Sequence, residues 1–204
     1  MLRESQVDPA LNRLSAHFGS HLVIRPPASA SELAELEHIV GALPRELTIY
    51  LSTCNGLRVS GHAADAELHL WNTRAMVASI LAAPGPGVPQ GIVPLHGDPV
   101  GERDWLVVGA GPVEGSVVAW DPWVPGAELL ASGFGSYLDC WSRYMTEHFD
   151  SAGAPVRLKE DRPAFDARYT VLHDEGLATL SGQIGVQEWL EGFQQAVACG
   201  DDFE

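Results

Sequence analysis

Basic residues are scarce in this sequence. Only 12 of its 204 residues are Lys or Arg, and Lys159 is its single lysine. Asp and Glu together number 27, so the formal net charge at pH 7 is −15. A negative field of this size repels phosphate backbones and anionic lipid surfaces, so we expect neither nucleic acid nor a membrane as a partner. It favours rapid encounter with a basic partner instead.

Cysteines and long apolar runs are scarce as well. Cys54, Cys140 and Cys199 lie far apart and form no C-x-x-C pair, which predicts free thiols in a reducing compartment. No uninterrupted apolar stretch approaches the ~18 residues that a membrane-spanning helix needs. The opening segment, MLRESQVDPALNRL, lacks the apolar core of a signal peptide. We therefore expect a cytoplasmic protein.

Motifs for common catalytic chemistry are also missing. The sequence contains no G-x-S-x-G nucleophile elbow and no H-E-x-x-H zinc motif. The segment GAGPVEG at 109–115 imitates a dinucleotide-binding loop, but such a loop must open a helix. The following segment, Ser116–Trp120, has the character of a strand, so we interpret 109–115 as a glycine-rich hairpin turn. We expect no enzyme activity and no cofactor.

One metal-site hypothesis stays open at the sequence level. His62, Asp65, Glu67 and His69 lie close together and are all residue types that bind metals. Their irregular spacing is more typical of a solvated turn that leads into a strand, so we expect no metal here. A hydrolase that uses His62, Asp65 and His69 is the corresponding alternative.

Hydrophobic periodicity predicts the fold class. Apolar residues with helical spacing, together with capping residues, indicate helices that begin near Asp8, Ser29, Leu43, Asn72, Ser132 and Val186. Strand patterns occur at His21–Arg25, Leu57–Val59, Glu67–Trp71, Ile92–His96, Trp105–Val108, Val117–Trp120 and Tyr169–His173. We predict an α+β fold in which a mostly antiparallel sheet of about five strands is packed by helices from both ends of the chain.

The chain is predicted to comprise a main domain and an extension. Residues 1–149 hold most of the predicted strands and form the main domain. Residues 150–204 form an acidic C-terminal extension, with 11 Asp or Glu against four Lys or Arg. Its final helix carries Trp189, Leu190 and Phe193 on one face, so we expect the extension to pack on the main domain.

The order of motifs in the first half resembles the SUKH superfamily. The segment SELAELEHIVGALPREL at 31–47 is followed by YL at 50–51 and CNG at 54–56. This resembles the family's opening pattern, in which a helix ends in Glu and Gly, Leu-Pro follows, and a second helix closes on Asn-Gly. The Smi/Knr-type family includes cell-wall-assembly regulators, the Syd protein and many bacterial immunity proteins.

The second half matches the same family in the same order. Four segments of residues 92–138 resemble family motifs: IVPL at 92–95 with GD at 97–98, DWLVV at 104–108, VVAWD at 117–121 and SGFGSYL at 132–138. The resemblance covers about residues 20–149, and residues 150–204 match no motif of the family.

The resemblance implies a protein-binding module without catalysis. Immunity proteins of this type neutralise a toxin by binding it, and their targets are commonly nucleases or deaminases. A basic toxin domain would be attracted by the net charge of −15. The alternative that the resemblance allows is a regulatory or scaffold protein that binds a housekeeping partner.

We expect the partner to contact the sheet face and the loops that connect the strands, as the resemblance implies. The acidic and aromatic side chains of those segments are the candidate contact residues: Asp65, Glu67, Asp98, Glu102, Asp104, Glu114, Asp121 and Trp123. Trp123 stands between Pro122 and Pro125, outside the strand pattern, and an exposed Trp in a rigid loop is suited to anchor an interface.

The missing zinc and phosphate motifs lead to a first prediction. Purified protein should contain no metal at one equivalent per chain, because no segment supplies ligands at the spacing that a structural or catalytic site requires. Elemental analysis measures this directly. Stoichiometric zinc or iron would contradict the prediction and favour the hydrolase alternative.

Overall fold

Eight helices and seven short strands, all paired antiparallel, make up the part of the chain that the computed structural model describes. That part comprises residues 5–60, 69–82, 91–97, 103–120, 127–157 and 161–198. The helices are α1 (Val7–Phe18), α2 (Ala30–Val40), α3 (Arg45–Thr53), α4 (Thr73–Ala82), α5 (Phe134–His148), α6 (Ala167–Thr170), α7 (Glu175–Ser181) and α8 (Val186–Ala198). The strands are β1 (Leu22–Ile24), β2 (Leu57–Val59), β3 (His69–Leu70), β4 (Ile92–Gly97), β5 (Arg103–Val107), β6 (Val117–Trp120) and β7 (Glu128–Ala131). None of the helices in these ranges is long and apolar enough to cross a membrane.

The predicted α+β class is confirmed, but the strands form two sheets rather than one. Strands β1, β2 and β3 form a three-stranded sheet, and β4 to β7 form a four-stranded sheet in chain order. A main-chain hydrogen bond of 2.9 Å from the Trp71 amide to the Leu95 carbonyl joins β3 to β4. The sheets separate here because β3 is only two residues long and the chain then enters α4.

The helices α1, α2, α3 and α5 share one hydrophobic core with the first face of the four-stranded sheet. The buried positions of α5 follow the predicted apolar stripe and include Phe134, Tyr137, Leu138, Trp141 and Tyr144. An ion pair of 2.9 Å between Arg13 of α1 and Asp139 of α5 adds a polar contact between the two helices. The helix start predicted near Ser29 is confirmed: Ser29 and Glu32 form a capping box, in which they exchange side-chain to main-chain hydrogen bonds.

The Asn-Gly pair has a different role from the helix stop that the sequence suggested. Helix α3 ends at Thr53, and Cys54 is already extended. Buried Asn55 instead holds the start of α4: its Oδ1 accepts from the Thr73 amide at 2.8 Å, and its Nδ2 donates to Thr73 Oγ1 at 3.0 Å. Gly56 has a φ of 90°, and a Cβ there would lie 3.0 Å from the Asn72 nitrogen. The pair therefore joins α3 to α4.

One predicted strand in the extension is wrong. The segment Tyr169–His173 was expected to be extended, but the helix α6 runs through Ala167–Thr170. Asp166 starts that helix, because its carboxylate accepts from the amides of Arg168 and Tyr169. Tyr169 then packs on α5, where its hydroxyl donates to Glu147 at 2.9 Å. Local capping and this contact outweigh the strand propensity of the aromatic and β-branched residues.

The second face of the four-stranded sheet is covered by the C-terminal layer, which we define as residues 171–193 with the helix α7 and the described side chains of α8. Four side chains of this layer are buried: Leu177, Val186, Leu190 and Phe193. They pack against five side chains of the sheet, which all point to the same face: Ile92, Trp105, Val107, Val118 and Leu129. The extension is thus part of a second hydrophobic core.

A buried carboxylate fixes this layer to the sheet. Asp174, the N-cap of α7, is buried and accepts hydrogen bonds from the Ser132 amide at 2.6 Å and the Ser132 hydroxyl at 2.7 Å. It also accepts from the Gly176 amide at 3.0 Å. Ser132 lies between β7 and α5, so one side chain connects the layer to the junction of strand and helix.

Removing residues 150–204 should destabilise the main domain. The deletion uncovers the apolar second face of the sheet, and each large apolar side chain exposed to water costs about 1.5–3 kcal/mol. We expect a lower melting temperature and association of the truncated chains. An unchanged melting temperature with a monodisperse truncated protein would contradict this account.

A single substitution tests how the extension is attached to the sheet without deleting the extension. Asp174→Ala removes the α7 cap and leaves the Ser132 amide without its acceptor, so the free energy of unfolding should fall by about 2–3 kcal/mol. Asp161→Ala, at an exposed position of the same extension, is the matched control and should change it by less than about 0.5 kcal/mol. Chemical denaturation measures the free energy of unfolding of both variants. Equal values for the two would show that the Asp174–Ser132 contact does not stabilise the protein.

Candidate functional site

Most of the predicted contact residues belong to segments outside the described residues. These are Asp65, Glu67, Asp98, Glu102, Asp121 and Trp123. The structure describes the other two, Asp104 and Glu114. The chain ends that flank the undescribed segments are described, however, and they show where each segment is attached.

Two of these segments connect strands at one end of the four-stranded sheet, and a third, which leads from β2 to β3 of the other sheet, ends next to it. Gly97, Arg103 and Trp120 are cross-strand neighbours there, and they flank residues 98–102 and 121–126. His69, which follows residues 61–68, has its ring 5.8 Å from the ring of His96. We call this region the hairpin end. The three segments contribute five Asp or Glu and no Lys or Arg.

A row of side chains crosses the sheet next to the hairpin end. His96, Asp104, Ala119 and Glu128 are successive cross-strand partners on β4, β5, β6 and β7. Directly opposed residues of antiparallel strands point to the same face, so these four share one face. It is the face that α5 covers, because Tyr137 of α5 contacts Asp104. We call these four residues the polar row.

Asp104 is held inside the polar row. The Tyr137 hydroxyl donates to its Oδ2 at 2.7 Å, and His96 Nδ1 lies 3.6 Å from the same oxygen. Only 13% of the Asp104 side chain is exposed. Burial raises the pKa of Tyr137 well above its usual range, and the negative charge of Asp104 raises it further. The Tyr137 hydroxyl therefore remains protonated and donates to Asp104. This hydrogen bond links α5 to β5, so Asp104 contributes to the fold whether or not it contacts a partner.

Glu128 closes the row at β7. It is exposed, yet desolvation by its surroundings raises its pKa. A hydrogen bond from the Ala167 amide at 3.5 Å and the charge of Arg168 oppose the rise, whereas the charges of Asp166 and Asp104 add to it.

His69 and Trp71 extend the polar groups toward β3. Trp71 Nε1 donates to His69 Nε2 at 3.0 Å, so this nitrogen accepts and carries no proton. The other proposed metal ligands, His62, Asp65 and Glu67, lie outside the described residues. Within the described ranges no three His, Cys, Asp or Glu residues are grouped so that they would hold a metal ion.

The glycine-rich segment lies at the opposite end of the sheet. Residues 109–115 connect β5 to β6, as expected for a hairpin turn, and a strand follows them. Glu114 is exposed in this turn. The paired strands β5 and β6 therefore separate Glu114 from the hairpin end by the length of one strand. The structure does not bring Glu114 together with the other candidate residues.

The described cysteines have no nucleophilic character. Cys54 and Cys140 are free and buried. Burial raises the pKa of Cys54 to about 11 and that of Cys140 to about 12. Both are thiols at neutral pH, and a thiol is a weak nucleophile compared with a thiolate.

Sequence reasoning missed His96, Glu128 and Tyr137 as parts of one cluster. His96 was predicted only as the last residue of the strand Ile92–His96. Glu128 lay outside every predicted strand, because the sequence ELLA at 128–131 has neither β-branched residues nor alternation. The useful signal was the strand pairing, since it places His96 opposite Asp104 once the hairpin is aligned.

Comparison with known proteins identifies no related family and no related curated protein. No protein-family model matches the chain, and a search of curated protein sequences finds no match either. The resemblance to the SUKH superfamily thus depends on the order of its motifs alone.

The contact between Tyr137 and Asp104 leads to a prediction for this site. Tyr137→Phe removes a hydrogen bond to a charged acceptor, which should lower the free energy of unfolding by about 1.5–3 kcal/mol. Tyr50→Phe is the matched control: it is equally buried, but its hydroxyl faces the Cys54 thiol, a weak partner. Urea unfolding measures both. A Tyr137→Phe variant no less stable than Tyr50→Phe would show that the bond to Asp104 contributes nothing.

Proposed function

We propose that this chain is a non-catalytic protein-binding module of the immunity type, which neutralises a basic toxin domain by binding it in the cytoplasm. A nuclease or deaminase domain is the expected toxin. The observation that carries the proposal is the attachment of three acidic segments at the hairpin end, next to the polar row. The motif order that resembles the SUKH superfamily supports the same class of protein.

Electrostatics explains why this end suits a basic partner. The hairpin-end segments bear Asp65, Glu67, Asp98, Glu102 and Asp121 and contain no lysine or arginine, although Arg103 directly follows the second of them. The described polar row contributes Asp104 and Glu128 at the end of the sheet to which the segments are attached. Acidic groups concentrated on one surface steer a positively charged cleft toward that surface and raise the rate of association. Trp123, in the segment that follows β6, is the candidate apolar anchor.

The test begins with co-expression of the chain and a toxin domain encoded beside its gene. Association and dissociation rates of the complex are then measured at two salt concentrations. The Asp98→Lys/Glu102→Lys variant should slow association about 10-fold at low salt, with less effect at high salt. The control is Glu35→Lys/Glu37→Lys, which changes the net charge equally but lies on the exposed face of α2.

Trp123→Ala addresses the anchor separately. It should raise the dissociation rate rather than lower the association rate, and loss of an anchor of this kind weakens binding by about 2 kcal/mol or more.

Equal association rates of the hairpin-end and α2 variants would refute the electrostatic contact. The absence of any complex with the toxin domain, together with a complex with a housekeeping protein, would favour the regulatory or scaffold alternative.

A further inference from the structure

Strand β1 is an edge of the three-stranded sheet, because it pairs with β2 on one side only. The Arg25 amide donates to the Gly56 carbonyl at 3.0 Å, which marks these two residues as a hydrogen-bonded pair. Bonded and non-bonded pairs alternate along an antiparallel ladder. Val23 therefore bonds to β2, whereas Ile24 directs its amide and its carbonyl away from β2.

The outward main-chain groups of β1 are open. Within the described ranges no hydrogen bond reaches the amide or the carbonyl of Ile24, or the carbonyl of Leu22. The Leu22 amide is already used, because it donates to the Gly19 carbonyl. One donor and two acceptors thus lie in a row at this edge, where an extended segment can add to the sheet as a further strand.

Apolar side chains are exposed on both faces of the same edge. Val23 is 37% exposed and shares the outer face of the sheet with Arg58, its cross-strand partner. Ile24 is on the other face with Leu57, which is buried, but Ile24 itself is 42% exposed. A strand added beside β1 would cover Val23 and Ile24 together.

The charge at this edge is positive, although the chain as a whole is acidic. Arg25 precedes Pro26 and is therefore extended, so its side chain falls on the outer face with Val23 and Arg58. Both arginines are exposed, and neither makes an ion pair in the described part of the chain. Three other arginines do have carboxylate partners: Arg13, Arg143 and Arg168. The open edge thus has two uncompensated positive charges beside it.

We propose that β1 is a docking edge for an extended acidic segment of a second protein. In an antiparallel register the segment exchanges two main-chain hydrogen bonds with Ile24 and donates a third to the Leu22 carbonyl. Its residues opposite Ile24 and Leu22 are apolar. The residues that alternate with them lie on the outer face, where Asp or Glu reach Arg25 and Arg58. The recognised pattern is acidic–apolar–acidic–apolar.

Charge complementarity selects this occupant over a second copy of the chain. Antiparallel pairing of two β1 strands at Ile24 would place Arg25 of one copy opposite Val23 of the other, and so toward the other copy's Arg58. Like charges would meet on the outer face, whereas an acidic segment neutralises them. The inference goes beyond the proposed function and does not depend on it, because a basic toxin domain would be repelled at this edge.

The experiment measures binding of a fluorescent, end-capped peptide, GEVEVG, to the full chain by anisotropy. We expect saturable binding that weakens as salt is added. The peptide GRVRVG reverses the charge, and GEEVVG keeps the composition but loses the alternation. Both should bind at least about 10-fold more weakly, since the first repels the arginines and the second cannot place its acidic groups on one face.

Two variants of the chain locate the binding. Arg25→Glu/Arg58→Glu should weaken binding of GEVEVG about 10-fold or more, whereas Arg74→Glu/Arg157→Glu, which changes the charge equally at exposed positions elsewhere, should have a smaller effect. Ile24→Pro removes the outward amide but no bond to β2, so it should bind at least about 10-fold more weakly than Ile24→Ala.

Melting curves identify the folded variants, and the arginine variants keep the test valid if the proline variant unfolds. Absence of saturable binding, or equal binding of the three peptides, would overturn the inference. Binding that none of the folded variants changes would overturn it too. Dimerisation that Ile24→Pro abolishes, without peptide binding, would contradict it by assigning the edge to a second copy. The toxin domain is absent from this assay, so the proposed function stands or fails separately.

Discussion

The four-stranded sheet has two apolar faces, and the rest of the structure depends on covering both. Val93, Leu106 and Val117 face the first core, while Trp105 and Val118 face the second. Strands with two buried faces cannot be stable in water unless each face has its own cover. The helices before and after the sheet supply the first cover, and the C-terminal layer supplies the second. The extension is accordingly a structural part of the domain, attached by the buried carboxylate of Asp174.

The same arrangement decides where polar groups are tolerated. Along the first face, apolar side chains give way to His96, Asp104 and Glu128 next to the hairpin end. There the Tyr137 hydroxyl satisfies part of the Asp104 carboxylate. A buried carboxylate without such a donor would cost several kcal/mol. The polar row thus lies between the apolar core and the end of the sheet to which the acidic segments are attached.

The sequence was informative where the physical signal is local. Helix α2 was recognised from its capping box and α5 from its apolar stripe, because both signals lie within one turn or one face of a helix. Strand β7 was missed because ELLA carries no strand pattern, and its extended form comes from pairing with β6. The prediction for Tyr169–His173 failed because the cap of Asp166 and the contact with Glu147 are stronger than strand propensity. The polar row has no signal within any single segment, since it exists only after four strands are aligned.

The most direct measurement of the central claim is amide hydrogen exchange of the chain, alone and in complex with the basic toxin domain. The account predicts slower exchange on binding in residues 61–68, 98–102 and 121–126, which are attached at the hairpin end. It predicts no change along β1, because Arg25, the exposed residue that follows this strand, would repel a basic surface. Protection confined to β1, with unchanged exchange in all three acidic segments, would contradict the account.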